Sequence, residues 1–182
     1  MRQTLLFVVG GLMLAGIIHI VTVMMVPHFA TNDAWAEMRR FGRADVFHTV
    51  PQAEAGAEPL AFLDPRMLYA VCRFSLEDGP VRITASLLDD FWSLAIFDRR
   101  GRNAYSLNDR SADRAALDLT VITPVQMAQL RQDPPEALDT SIVIELPIEE
   151  GLALIRVFVA DETMLPQARA ALDTADCAET LE

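Results

Sequence analysis

The sequence predicts a mainly β (α+β) fold, an antiparallel β sheet or sandwich with peripheral helices, preceded by one N-terminal transmembrane helix. Three observations carry this. Residues 5–26 form an apolar run without a charged side chain. From Met67 onward, apolar residues recur with a period of two between turn signals, the mark of half-buried strands. Beyond residue 60, only two short stretches have the spacing of a helix, which is too few to build a parallel sheet.

Residues 1–4 are a short tail carrying Arg2, and residues 5–26, LLFVVGGLMLAGIIHIVTVMMV, match the roughly 20 helical residues that cross a ~30 Å hydrocarbon core. A cleaved signal peptide is the rival reading, because Ala34-Trp35-Ala36 resembles a small-residue cleavage site. That site lies well past the apolar run and inside a helical stretch, which favours an uncleaved anchor. Gly10, Gly11 and Gly16 would permit close helix packing, although glycine is common in membrane helices anyway. His19 has no acidic or metal-binding companion, so a hydrogen bond to a neighbouring helix explains it better than a functional path.

Two rules conflict over orientation. Arg39, Arg40 and Arg43 beyond the run outnumber Arg2 before it, and a literal positive-inside count puts the domain in the cytoplasm. A span starting this close to the N-terminus has the layout of a signal anchor, and the three arginines sit in a helix of their own. The extracytoplasmic side is therefore expected.

Residues 27–43 read as a juxtamembrane amphipathic helix: Thr31, Asn32 and Asp33 are N-cap candidates, and Gly42 is the stop. Trp35, Met38 and Phe41 recur at helical spacing, so their stripe lies either at the lipid headgroups or on the domain. Residues 44–60, with Pro51, Gly56 and Pro59, look like an extended linker before a β-rich domain over 61–182. Strands are expected at Met67–Leu76, Val81–Leu87, Phe91–Asp98 and Asn103–Leu107, joined by turns into an antiparallel meander. Three more follow around Leu117–Val121, Ile142–Leu146 and Leu152–Ala160. A helix starting at Pro124 and stopped by Pro134-Pro135 separates the fifth and sixth strands, and a last helix, Thr163–Ala175, puts Met164, Leu165, Ala168, Ala171 and Leu172 on one face.

The anchor leaves about 150 residues, enough for one domain with a real core. Beyond Arg2 the chain carries 14 arginines against 26 acids, or −12, so neither nucleic acid nor an anionic lipid surface is an expected partner of the domain as a whole. Every basic residue is arginine and none is lysine, which resembles the codon bias of a GC-rich bacterial genome.

Few residues offer chemistry. Three histidines, His19, His28 and His48, fall in or near the anchor and linker, so a nucleophile–histidine arrangement would have to recruit His48 from the linker. No catalytic residue, metal site or cofactor is expected: there are two distant cysteines, no paired histidines and no glycine-rich phosphate loop. Asp89-Asp90 and Glu149-Glu150 sit at turns, where solvated turn chemistry is the commoner explanation. The candidate binding surface is Arg99, Arg100 and Arg102, followed by Asn108, Asp109 and Arg110, because arginine contacts carboxylate or phosphate bidentately. The plainer reading is a charged hairpin tip and an Asx turn. Cys72 and Cys177 would pair in an oxidising compartment; the alternative, slightly preferred because spacing says nothing about distance, is a buried thiol at 72 and an exposed one at 177.

Three stretches, Leu63-Asp64-Pro65-Arg66-Met67-Leu68-Tyr69, Cys72 through Val81, and Phe91-Trp92-Ser93-Leu94-Ala95-Ile96-Phe97-Asp98, resemble the bacterial family called domain of unknown function 1254. Ser106–Arg110 and the closing Pro166–Leu172 helix fit as well, and the whole chain is similar to the family's short, single-span membrane members. The resemblance implies an anchored β-rich domain and brings no assigned activity.

The expected function is a non-catalytic binding module in the bacterial inner membrane, its C-terminal domain periplasmic. Residues 5–26 would meet lipid, and the domain a membrane or envelope protein or a second copy of the chain. An enzyme of unrecognised type acting on a small envelope component is the alternative.

Overall fold

The computed structural model describes residues 2–29, 34–52, 63–112, 116–132 and 141–179. Thr31–Asp33, residues 53–60 of the expected linker and Pro134-Pro135 lie outside them.

Helix α1 (Arg2–Phe29) has 28 residues, a length of about 42 Å at the α-helical rise. The apolar run is therefore one continuous helix, and it passes Pro27 before ending. Its described side chains from Arg2 to Val26 are all exposed, and it is long and apolar enough to cross a bilayer. Helix α2 (Ala34–Phe41) follows, with Trp35, Met38 and Phe41 on one side because residues three apart share a helix face. Met38 is buried, and all three pack against Val50, Tyr69, Val71 and Leu152. The stripe thus lies on the domain. Gly42 ends the helix at φ +154°, and a Cβ there would stand 2.2 Å from the ring of His48, so the position excludes any side chain.

Among the described residues, nine strands form two sheets. The first is ordered β1 (His48–Thr49), β2 (Met67–Ser75), β8 (Glu150–Phe158), β4 (Trp92–Asp98) and β5 (Asn103–Asn108). The second is ordered β7 (Ile142–Glu145), β6 (Ala116–Ile122), β3 (Val81–Ser86) and β9 (Asp176–Glu179). The inner faces meet in one core, where Leu68 and Phe74 of β2 and Trp92 and Ile96 of β4 join Ile83 of β3 and Leu119 of β6. Its assembly is driven by removing this apolar surface from water.

Three expectations change. The meander is not formed: β2 and β3 lie in opposite sheets, and β8 inserts between β2 and β4, pairing Leu68 with Val157 and Leu94 with Ile155. The connection from Leu76 to Pro80 is a corner, with both of those residues buried and the Leu76 carbonyl accepting from Gln126 Nε2 at 2.6 Å. Only β4 and β5 keep the expected hairpin. Second, β6 and β7 pair in parallel, since the intervening helix α3 (Pro124–Leu130) returns the chain to the same end of the sheet. Thr123 caps α3 with a reciprocal Gln126 capping box, and Pro124 opens it. Third, residues expected in the linker, or given no element after the last helix, contribute strands β1 and β9.

Helix α4 (Leu165–Leu172), after a single 3-10 turn at Glu162–Met164, buries Ala168, Ala171 and Leu172, and Ala168 and Leu172 join the core. Cys72 on β2 and Cys177 on β9 are joined by a disulfide that links the two sheets, with Cα atoms 6.5 Å apart. Both cysteines are fully buried, so Cys177 is not the exposed thiol of the alternative reading.

Candidate functional site

The β4–β5 hairpin tip is built by its first residue. Asp98 Oδ1 accepts the backbone N–H groups of Arg100 and Arg102, each at 2.9 Å, and Asp98 Oδ2 accepts Arg102 Nε at 2.7 Å. Gly101, at φ +75°, makes the left-handed step and donates its N–H to the Asp98 carbonyl at 2.9 Å. Hydrogen bonding from the Arg102 backbone, and then from its guanidinium, holds the Asp98 carboxyl below its usual range.

The three tip arginines are therefore not equivalent. Arg102 is tied to Asp98, while Arg99 bridges to Glu150 at the start of β8, at 2.5 Å, and lies over the Trp35 ring at 6.0 Å. Arg100 is exposed, and its side chain has no hydrogen bond or ion pair among the described residues. Among the described residues, Arg100 is thus the tip arginine whose guanidinium donors are open.

Asn108, Asp109 and Arg110 do not belong to this group. They lie at the other end of β5, about 20 Å away at the rise of a six-residue strand. Asn108 Oδ1 accepts from the N–H and the hydroxyl of Ser111 at 3.1 and 2.9 Å, a local side-chain cap on the turn three residues on, where an Asx turn would reach two. Asp109 donates its backbone N–H to the Trp92 carbonyl at 3.2 Å and has one carboxylate oxygen buried without a hydrogen-bond partner among the described residues. These two residues shape the turn after β5, and Arg110 is exposed there.

Beside the arginine tip the structure adds what the sequence had not grouped. Trp35 and Met38 of α2, Phe97 of β4, and Leu152 and Leu154 of β8 line an apolar groove of about 280 Å³. Asp98, Arg99, Arg100 and Gly101 form its rim. An apolar floor with a cationic rim can take a ligand that has an apolar body and an anionic end. A larger, open cleft of about 590 Å³ lies between α3 and the β2–β3 corner, lined by Val125 and Gln129 opposite Glu77 and Asp78. A third cleft, of about 380 Å³, sets the same arginines against Pro147, Ile148, Glu149 and Glu150, and of the three the smallest groove touches the helix next to α1.

A second polar corner is held mainly by backbone contacts, and Asp45 Oδ1 is buried there without a hydrogen-bond partner among the described residues. Asp45, at φ +62°, donates its N–H to the Arg73 carbonyl at 2.8 Å, and Arg73 Nη2 reaches the Gly42 carbonyl at 2.7 Å. Burial raises the Asp45 carboxyl, against the lowering effect of Arg73. His48 lies in β1, where its Nε2 is 3.0 Å from the Arg43 carbonyl, so its ring helps to close the corner. Among the described residues, no group of three or more His, Cys, Asp or Glu side chains is placed to hold a metal ion.

The family model described as protein of unknown function (DUF1254) matches residues 44–179. The chain belongs to this family. The DUF1254 match spans both sheets, α3 and α4 and stops short of α1 and α2. Among solved structures, the VPA0106 protein of Vibrio parahaemolyticus is similar at 12% identity and a TM-score of 0.55, over 86% of this chain and 33% of that one. A putative uncharacterized protein of Burkholderia cenocepacia aligns at 15% identity and a TM-score of 0.47, over 69% of this chain and 34% of that one. This chain thus spans about a third of the length of those proteins, and the first of them shows the same fold around the DUF1254 sandwich. No curated protein matches the chain significantly.

Proposed function

We propose that this chain is a non-catalytic binding module held by α1 in the bacterial inner membrane, with the DUF1254 domain on the extracytoplasmic side. The observation that carries the reading is the buried Cys72–Cys177 bridge between the two sheets. Structural disulfides persist in oxidising compartments and are rare in the cytosol, which outweighs the arginine count beyond the span. The contact surface is the groove between α2 and the β4–β5 tip, since it sets an unpaired Arg100 beside an accessible apolar floor. Anchoring confines that surface to the neighbourhood of the membrane, where effective concentration is high and a weak contact can still be occupied.

The test is protease added to intact spheroplasts that express the full chain. Digestion of the domain without lysis is the expected result. Protection until the membrane is opened would place the domain in the cytoplasm and overturn the orientation.

A further inference from the structure

Helix α2 brings the arginine tip and the anchor to the same end of the domain. Six peptide units separate Phe29, the last residue of α1, from Trp35. Even fully extended, they place Trp35 within about 20 Å of the end of α1. Arg99 lies over the Trp35 ring at 6.0 Å, and Arg99, Arg100 and Gly101 share the groove with Trp35. Covalent reach therefore keeps this cationic group close to the bilayer surface however the domain swings.

We infer that this face docks on anionic phospholipid of the bilayer that α1 spans. The phosphate meets Arg100, and the apolar part of the lipid lies against the half-buried Trp35 and Phe97. The inference rests on the reading that α1 crosses the membrane. Charge complementarity selects the occupant. A domain of net charge −12 is repelled by an anionic surface as a whole, and at the tip Arg99 and Arg102 are paired with Glu150 and Asp98, so the attraction falls to the guanidinium of Arg100. Guanidinium matches phosphate bidentately, and tryptophan prefers the headgroup level, so the two residue types at the rim suit the two layers of a lipid interface. The groove supplies the third element, an apolar floor that a purely acidic protein surface would leave unfilled.

The experiment uses the full chain reconstituted in phosphatidylcholine vesicles that contain either brominated phosphatidylcholine or brominated phosphatidylglycerol. Bromine quenches a nearby indole. Trp92 is 1% exposed inside the core, so quenching reports Trp35, and Trp35→Phe should remove it. The expected result is half-quenching at an about fivefold lower fraction of phosphatidylglycerol than of phosphatidylcholine for each arginine engaged. Arg100→Glu should abolish the preference while Trp92 emission stays unchanged. Equal quenching by both lipids, or none, in chain that resists extraction by alkaline carbonate would overturn the inference and leave the face to a protein partner or a second copy. Release of the chain by carbonate would instead refute the membrane span itself, and the lipid docking with it.

Discussion

Replacing both cysteines, Cys72→Ala with Cys177→Ala, tests the covalent tie between the sheets. The bridge closes a loop of 105 residues. For that length, the chain-entropy relation puts the restriction of the unfolded chain at about 4.8 kcal/mol, and removal of native disulfides commonly costs about 2–5 kcal/mol. The local structure points to a sizeable share of that figure. β9 pairs only with β3, through four residue pairs, Val81–Glu179 to Thr84–Asp176, at the edge of its sheet. Such a short edge strand is held weakly by its own ladder, so the loss of the bridge should free it as well as relax the unfolded state. A domain of this size shifts by about 3 °C per kcal/mol, which gives a fall in melting temperature of roughly 10–15 °C. The assay is thermal unfolding of the full chain in detergent, followed by fluorescence of the buried Trp92, with and without reductant. Reduced parent protein should melt with the double variant, and amides of β9 should exchange first in both. If parent and variant melt together in the absence of reductant, or if both thiols of the unreduced, unfolded parent react with a maleimide, the bridge and its energetic role are refuted.

Other expectations follow from single contacts. Arg82 holds Asp118 across β3 and β6 with two hydrogen bonds of 2.9 and 2.7 Å, and this hydrogen bonding lowers the Asp118 carboxyl below its ordinary range. A depressed folded pKa contributes stability that is fully present above about pH 4 and lost as pH falls through the lowered value. Arg82→Gln should therefore cost about 0.5–1 kcal/mol at neutral pH, discounted for two side chains that are 32% and 26% exposed, and progressively less as acid protonates Asp118; denaturant titrations from neutral into the acid range check it. Gly151→Ala would put a Cβ 2.3 Å from the tip of the Phe74 ring, which is only 2% exposed. The overpacking should cost about 1–3 kcal/mol in urea, and Phe74→Leu should relieve part of it. Met38→Asp should release α2 from the outer face of the first sheet, seen as rapid proteolysis near Phe41 with unchanged Trp92 emission; resistance equal to that of the parent would show that α2 is held by other contacts.

The arginine group shows how far spacing along the chain can be trusted. Arg99, Arg100 and Arg102 stay together because a two-stranded hairpin with a glycine turn is a local structure, specified within a few residues. Arg110 leaves the group because the strand between them is extended, and extension turns a short stretch of sequence into a distance of about 20 Å. The groove was hidden for the opposite reason. Its lining comes from α2, β4 and β8, far apart in sequence, and neither Leu152 nor Leu154 differs in type from the core leucines. One signal was available. β2 reads MLYAVC without polar alternation and is buried on both faces, whereas β3 alternates strictly and is buried on one. That contrast required a cover on the outer face of the first sheet, and the amphipathic α2 supplies it.

By itself the sequence determined what depends on neighbours along the chain: the long apolar helix, the capped α3, the period-two strands, the β4–β5 turn and the buried face of α4. These follow from side-chain periodicity, caps and turn residues, which act over a few positions. Only the tertiary structure decided which strands pair, that Cys177 comes within bridging distance of Cys72, and that α2 sets an apolar groove beside the arginine tip. A strand's ladder can be completed by any partner of matching pattern. The choice falls to the packing that buries both sheets and α2 together, so β8, some 75 residues downstream of β2, displaced the adjacent β3 as its partner.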